Sequence, residues 1–134
     1  MNRITLPLLA VSLAGILPGA GVADAAAGAE LFQLHCATCH GATAEGNGPM
    51  AAILTLQPAD LTALASGNDD VFPVRRAVAR IEGTDPLVAH GSPMPIYAPL
   101  FGAWKVRIRD ENGDNLPTSR PVRDLVDYLT TIQD

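Results

Sequence analysis

Residues 34–41 read LHCATCHG and hold the only two cysteines of a 134-residue chain, Cys36 and Cys39, with His40 directly after the second. A disulfide between these cysteines would close so small a loop that it would stabilise the fold only weakly. A thioredoxin-like redox pair would need a preceding strand in a βαβ unit, and the sequence suggests neither. A zinc site needs four ligands, and no second Cys or His pair follows at metal-binding spacing.

The amino-terminal residues decide which cysteine chemistry is available. Arg3 precedes an apolar run that extends to about Leu17, and small residues follow, which is the order of a secretory signal peptide. We therefore expect residues 1–25 to be removed and residues 26–134 to form one domain in the periplasm, without stable membrane insertion. The alternative is an uncleaved membrane anchor, although prolines interrupt a run that is already short for a bilayer span.

Composition narrows the function classes further. Charged residues make up 17% of the chain and the net charge is −5, with no basic stripe that could neutralise phosphates, so nucleic-acid binding is not expected. The 11 prolines and 12 glycines favour short helices joined by many turns. Three Phe, two Tyr and one Trp leave few large side chains with which to fill a core.

The remaining interpretation of the cysteines is the C-x-x-C-H signature of c-type haem attachment. On a helix, Cys36 and Cys39 would reach adjacent edges of a porphyrin while His40 projects over its face. The cysteines would then be the thioether anchors and His40 the proximal iron ligand. A haem would also be the largest apolar body inside the domain, which explains how so sparse a core could fold. We predict one covalently bound haem c with its iron.

The flanks of the motif resemble class I cytochromes c, and the resemblance covers nearly all of residues 26–134. Gly28, Phe32 and Cys36 follow one another at four-residue steps, so they share one face of an amino-terminal helix. The family has a helix with glycine, an aromatic residue and cysteine at these steps.

A second amphipathic helix is predicted near the carboxyl end. It would begin near Thr118 or Ser119 with Pro121 in its first turn, and its apolar residues recur at helical intervals: Val122, Leu125, Val126, Leu129 and Ile132. In the family the two terminal helices cross, and a glycine on the first allows close approach to an aromatic residue on the second. The resemblance places Gly28 and Tyr128 at these positions. It implies an all-α cytochrome c fold with about four or five short helices around one covalent haem.

The resemblance also bears on the second axial ligand. Met94 lies between two prolines, and such a restricted loop suits a ligand that reaches the iron without helical support. The family commonly places its distal methionine before a proline, so Met94 is the predicted distal ligand, with His90 as the alternative. Pro49 matches the proline whose carbonyl orients the proximal histidine, which would put Met50 on the wrong side of the haem. His35 is expected to face solvent or a haem propionate.

Two central segments are less clear. Residues 69–83 predict a helix that ends at Gly83, with an apolar face (Val74, Ala77, Val78, Ile81) and a basic face (Arg75, Arg76, Arg80). The basic face is either solvated or a contact for a haem propionate or an acidic redox partner. Residues 101–109 fit both a helical face and a strand-like alternation, and the resemblance favours a helix. Within them, Trp104 is expected either to pack in the core or to reach a propionate.

The stretches QPADLT, FPVRRAV and HGSPMP also resemble a subgroup of small proteobacterial monohaem cytochromes. In that subgroup a tryptophan and a glycine often follow the MP pair, whereas this chain has Tyr97 and Ala98.

The haem motif and the resemblance to class I cytochromes c together predict a one-electron carrier rather than an enzyme. Its expected partners are redox proteins: a periplasmic dehydrogenase or reductase as donor, and an oxidase or another cytochrome as acceptor. The alternatives are a haem-bearing subunit of a periplasmic dehydrogenase complex and a gas-binding or peroxidase haem protein.

Overall fold

The computed structural model describes residues 20–86, 94–102 and 105–134. The regular structure of these residues is five α-helices, a 3₁₀ turn at Ala51–Ile53 and one antiparallel hairpin. The helices are α1 (Ala20–His35), α2 (Ala37–His40), α3 (Val74–Glu82), α4 (Ala98–Phe101) and α5 (Arg120–Thr131), and the strands are β1 (Lys105–Arg109) and β2 (Asn115–Ser119). The predicted all-α class with about five short helices is confirmed, with one hairpin inserted ahead of the last helix.

Helices α1 and α5 form the main packing contact of the domain, and they meet at Gly28. A Cβ on this residue would lie 1.9 Å from the carbonyl oxygen of Asp124 and 2.8 Å from the Cβ of Tyr128, so only glycine fits the crossing. One turn further along α1, the fully buried ring of Phe32 lies 5.4 Å from that of Tyr128. Helix α1 continues to His35, and the next residue is Cys36.

The core lies between these two helices and α3. Its fully buried members are Phe32, Val122, Leu125 and Val126, and Val78 and Ile81 of α3 pack against the same cluster. Helix α5 begins where its sequence predicts, because the Ser119 side chain accepts a hydrogen bond from the backbone N–H of Val122. No helix within the described ranges is long and apolar enough to cross a membrane.

Helix α3 is shorter than its sequence pattern predicts. It starts at Val74 rather than near residue 69, because Asp69 and Asp70 both adopt left-handed backbone conformations, with φ of 56° and 59°. The acidic residues therefore lie in the preceding loop and do not cap the helix. Its end is confirmed at Gly83, which is also left-handed, with φ of 76°.

The helix expected over residues 101–109 is wrong. Helix α4 ends at Phe101, and Lys105–Arg109 pairs with Asn115–Ser119 in a register that sets Ile108 opposite Leu116. The strand-like alternation of the sequence is the correct pattern, since Ile108 is buried while its neighbours Arg107 and Arg109 are exposed. The second strand of this hairpin leads directly into α5.

Ion pairs and hydrogen bonds fasten the hairpin to α3. Arg75 bonds the carboxylate of Asp110, which is fully buried, and Thr118 Oγ1 donates to Glu82 Oε1 over 2.6 Å. Burial by itself would raise the pKa of Asp110. Hydrogen bonds from the backbone N–H of Asp114, from Arg75 and from the backbone N–H of Asn112 outweigh this effect, and the pKa lies below its ordinary value.

These contacts change the interpretation of the basic face of α3. Arg75 pairs with Asp110 and lies 3.5 Å from Asp114, and Arg80 pairs with Asp85 over 3.2 Å. Two of the three arginines therefore have acidic partners within the fold, and a contact of this face with a redox partner stays a prediction.

Candidate functional site

The predicted attachment residues lie on one short helical turn that continues from α1. The Cys36 N–H donates to the carbonyl of Phe32 over 2.8 Å, and the His40 N–H donates to the carbonyl of Cys36 over 2.9 Å. Both cysteines are free thiols and both are half-buried. Burial and the neighbouring Cys39 raise the pKa of Cys36 to about 11, so this sulfur stays protonated at neutral pH. Cys36, Cys39 and His40 are thus brought together as the motif predicts.

The imidazole of His40 is oriented by a backbone carbonyl, but not by the predicted one. His40 Nδ1 lies 2.9 Å from the carbonyl oxygen of Ala59, and because a carbonyl can only accept, Nδ1 carries the proton. The acceptor in this structure is thus the carbonyl of Ala59, and the role assigned to the carbonyl of Pro49 stays a prediction. The turn that contains Pro49 is hydrogen-bonded to the backbone of α2, whereas the carbonyl that meets the ring of His40 belongs to Ala59.

The turn at Pro49 is built tightly against α2. Gly48 N–H donates to the carbonyl of Cys39 over 3.1 Å and Met50 N–H donates to the carbonyl of Thr38 over 3.0 Å. A Cβ on Gly48 would lie 2.5 Å from the Cys39 carbonyl oxygen, so this approach requires glycine. The backbone of Met50 is thereby fixed beside α2, while its side chain is partly exposed.

The segment that carries Met94 is tied to the attachment helix through Tyr97. The Tyr97 hydroxyl donates to the carbonyl of His35 over 2.7 Å, and its N–H donates to the carbonyl of Ile81 over 3.0 Å. Burial raises the pKa of Tyr97, which keeps the hydroxyl protonated as a donor. Met94 itself is half-buried and packs against the core cluster.

Aromatic contacts reinforce the same connection. The rings of Tyr97 and Phe101 are stacked at 5.6 Å, and the ring of His35 meets Phe101 edge-on at 5.4 Å. His35 is half-buried, because its ring lies against both of these aromatic rings, and its expected contact with a propionate stays a prediction. His90 and Trp104 lie outside the described residues.

Apolar side chains point outward on both sides of the site. Ile53 and Leu56 follow the turn after His40, and Ile96 and Leu100 follow Met94; all four are more than half exposed. Ile96 and Leu100 are thus the exposed apolar residues that follow Met94 most closely along the chain.

Several functional contacts were missed from the sequence. The Ala59 carbonyl belongs to the backbone and has no signature in the sequence, and Tyr97 was noted only as a departure from a subgroup pattern. Within the described ranges, no group of three or more His, Cys, Asp and Glu residues could hold a metal ion.

Comparison with known proteins gives one match. The family model described as cytochrome c matches residues 25–133, which is most of the chain. Neither the curated proteins nor the solved structures include a match.

Proposed function

Because the chain belongs to the cytochrome c family, we propose that it is a periplasmic one-electron carrier whose haem iron is held by His40 and Met94. The family assigns the cofactor, a covalently bound haem c with its iron, and the general role, haem-based electron transfer. Members of the family are typically electron carriers, which agrees with a non-enzymatic role. The observation that carries the proposal is the attachment turn, in which two free thiols lie directly ahead of a histidine with Nδ1 committed to a carbonyl.

The residues present fit the cofactor. Cys36 and Cys39 offer the two thiols that thioether bonds require, and the protonated Nδ1 of His40 leaves Nε2 as the nitrogen with a free lone pair. When bound, the haem supplies an iron that gains and loses one electron; the protein holds it, shields it from water and sets its ligands.

Support for Met94 as the second ligand comes from how its segment is held. Tyr97, three residues later, bonds the carbonyl of His35, the residue directly before Cys36. Met94 is therefore connected to the attachment turn through one side chain and two short stretches of backbone. A thioether ligand favours reduced iron and raises the reduction potential relative to a second histidine.

The proposed compartment and partners rest on the sequence. An amino-terminal signal segment would deliver the chain to the periplasm, where haem attachment and exchange with a dehydrogenase or reductase donor and an oxidase or cytochrome acceptor would follow. Redox encounters of this kind use small, weakly bound interfaces, so no large permanent interface is required. Edman sequencing of the protein from periplasmic extracts tests this directly, and a mature chain that begins near residue 26 is the expected result.

Optical spectroscopy of the haem-loaded protein tests the ligands. Wild type, Met94→Ala and the matched control Met50→Ala would be compared in the oxidised and reduced states, with and without carbon monoxide. We expect wild type and Met50→Ala to show the thioether-to-iron charge-transfer band and to ignore the gas. Met94→Ala should lose the band and bind carbon monoxide. If reduced wild type binds the gas readily, the carrier proposal fails and a gas-binding or peroxidase role replaces it.

A further inference from the structure

We propose that Gln133 and Gln57 are positioning residues for His40, because together they hold the segment whose Ala59 carbonyl fixes the imidazole. Through that bond they help to set the reduction potential of the iron. The inference rests on the proposed function, since it requires His40 to be an iron ligand. We call residues 57–65 the support segment.

The hydrogen bond from His40 Nδ1 to the Ala59 carbonyl is the contact that would affect the reduction potential of the iron. A histidine ligand that donates its second N–H to a carbonyl becomes a more basic ligand, and a more basic ligand favours oxidised iron. The His40 Nδ1 to Ala59 oxygen distance is 2.9 Å, within the ordinary range for a hydrogen bond. Any movement of Ala59 away from the ring therefore weakens this donation and raises the reduction potential.

The support segment cannot hold Ala59 in place by regular structure. It contains neither helix nor strand, and Ala59 and Asp60 are exposed. Within the segment, the Thr62 N–H and Oγ1 donate to Asp60 Oδ1 over 2.9 and 2.6 Å, which shapes the turn. Its Leu61 N–H donates to the carbonyl of Ala44 over 2.8 Å, and its apolar side chains, Leu61, Leu64 and Ala65, pack in or against the core. Two glutamine side chains add bonds on either side of Ala59.

Gln133 attaches the segment on the carboxyl side of Ala59. Its Nε2 donates to the carbonyl of Leu61 over 2.8 Å, and its Oε1 accepts from the N–H of Ala65 over 2.8 Å. The same Nε2 also donates to the carbonyl of Leu129 over 2.7 Å, so the amide is fixed to the end of α5. One half-buried side chain thus joins the last turn of α5 to the residue two positions after Ala59.

Gln57 attaches the segment on the amino side, also two positions from Ala59. Its Nε2 donates to the carbonyl of Gly46 over 2.7 Å, and the N–H of Gly46 donates to the carbonyl of His40 over 2.7 Å. The amide of Gln57 is therefore linked through one residue to the backbone of the histidine itself. The two glutamines thus bond to the backbone on both sides of Ala59: Gln133 links it to α5, and Gln57 links it through Gly46 to the backbone of His40.

The variants Gln133→Ala and Gln57→Ala, made in the haem-loaded protein, test this arrangement. The readouts are the reduction potential from spectroelectrochemical titration and the hyperfine-shifted histidine ring signals in the NMR spectrum of the oxidised form. We expect each variant to raise the ratio of reduced to oxidised protein at a fixed electrode potential about threefold, which is about 28 mV for a one-electron couple. The ring signals of His40 should shift in both.

Two controls separate positioning from general loosening. Gln33→Ala removes a glutamine that also bonds backbone near the site, from Nε2 to the Ala42 carbonyl over 3.0 Å, but that does not touch the support segment. Ile108→Val weakens the core in the hairpin, remote from His40 in the sequence. Both should keep the wild-type potential. If Gln133→Ala yields no holoprotein, Gln133→Glu, which keeps the acceptor for Ala65, replaces it.

The outcomes are distinct. Unchanged potentials in both glutamine variants, with lowered unfolding midpoints, would mean that the two residues only stabilise the fold, and would overturn the inference. A wild-type spectrum retained by His40→Ala would instead show that His40 is not a ligand, which removes the proposed function and the inference together.

Discussion

Replacing Gly28 with alanine should destabilise the domain strongly, although alanine is the better helix former. The added Cβ would lie 1.9 Å from the Asp124 carbonyl oxygen and 2.8 Å from the Tyr128 Cβ, whereas ordinary contacts begin at 3.4 Å. The obstacle on the nearer side is backbone, so no rotamer change relieves it. Helices α1 and α5 must move apart by more than 1 Å, and the Phe32 ring between them loses contacts as they do.

The magnitude follows from two opposing contributions. Overpacking in a well-packed core costs about 1–3 kcal/mol, and the backbone obstacle argues for the upper end. Glycine-to-alanine replacement within a helix gains about 1 kcal/mol. We therefore expect Gly28→Ala to lose about 2 kcal/mol of unfolding free energy net, or about 10 °C in Tm.

Guanidinium denaturation of the haem-loaded protein, followed by far-UV circular dichroism, measures the loss. Gly67→Ala is the matched control, because its Cβ would have only the Ala63 carbonyl oxygen as a close neighbour, at 3.3 Å in an exposed turn. The control should stay within about 1 kcal/mol of wild type. A Gly28→Ala protein as stable as wild type would show that the two helices do not cross as closely as described.

Three further predictions concern single contacts. Tyr97→Phe keeps the ring but loses the hydroxyl that ties the Met94 segment to α1, so imidazole should displace the methionine at lower concentration than in wild type, as read from the loss of the charge-transfer band. Ser119→Ala removes the cap of α5 and should cost about 1 kcal/mol in chemical denaturation, whereas Thr131→Ala on the exposed end of the helix should cost less. The pKa of Asp110 is lower in the folded than in the unfolded chain, so its pairing with Arg75 stabilises the fold fully above about pH 4 and less as pH falls further. In a plot of unfolding free energy against pH, Asp110→Asn should therefore lose less stability at acid pH than wild type. An unchanged acid part of the plot would contradict this assignment.

Elements with one strong periodicity were predictable from the sequence. The apolar residues of α5 recur at helical intervals and Ser119 caps them, and both features appear in the structure. Gly83 ends α3 as its position predicts, because its left-handed backbone is one that glycine adopts readily. The start of α3 was not predictable, since Asp69 and Asp70 look like helix-capping acids and instead adopt positive φ.

The hairpin could not be decided from its own residues. Val106 and Ile108 suit a strand and also fit a helical face when taken with Phe101, so the local pattern allows both. The deciding information lies outside the segment, in the pairing of Ile108 with Leu116 across the turn. Family resemblance then pointed the wrong way, because the hairpin is an insertion into an otherwise helical plan.

The orientation of His40 was missed for a different reason. Its acceptor is a backbone carbonyl, and every residue has one, so neither the identity of Ala59 nor its spacing from His40 marks it. On our proposal, two glutamine side chains help to hold Ala59 there, and one of them, Gln133, lies 74 positions further along the chain. Sequence patterns report which side chains share a face, and they carry no record of such amide-to-backbone bonds.

Helix α5 supports the site at three points along its length. Ser119, directly before it, is the last residue of the hairpin that is fastened to α3. The middle of α5 meets α1 at Gly28, eight residues before Cys36. Gln133, just past the end of α5, bonds the support segment that carries Ala59. A displacement of α5 should therefore move both the attachment turn and the segment that bonds His40, because both are attached to this helix. If His40 is the iron ligand as proposed, the packing of α1 against α5 is therefore part of what keeps its imidazole in one orientation while the iron gains and loses an electron.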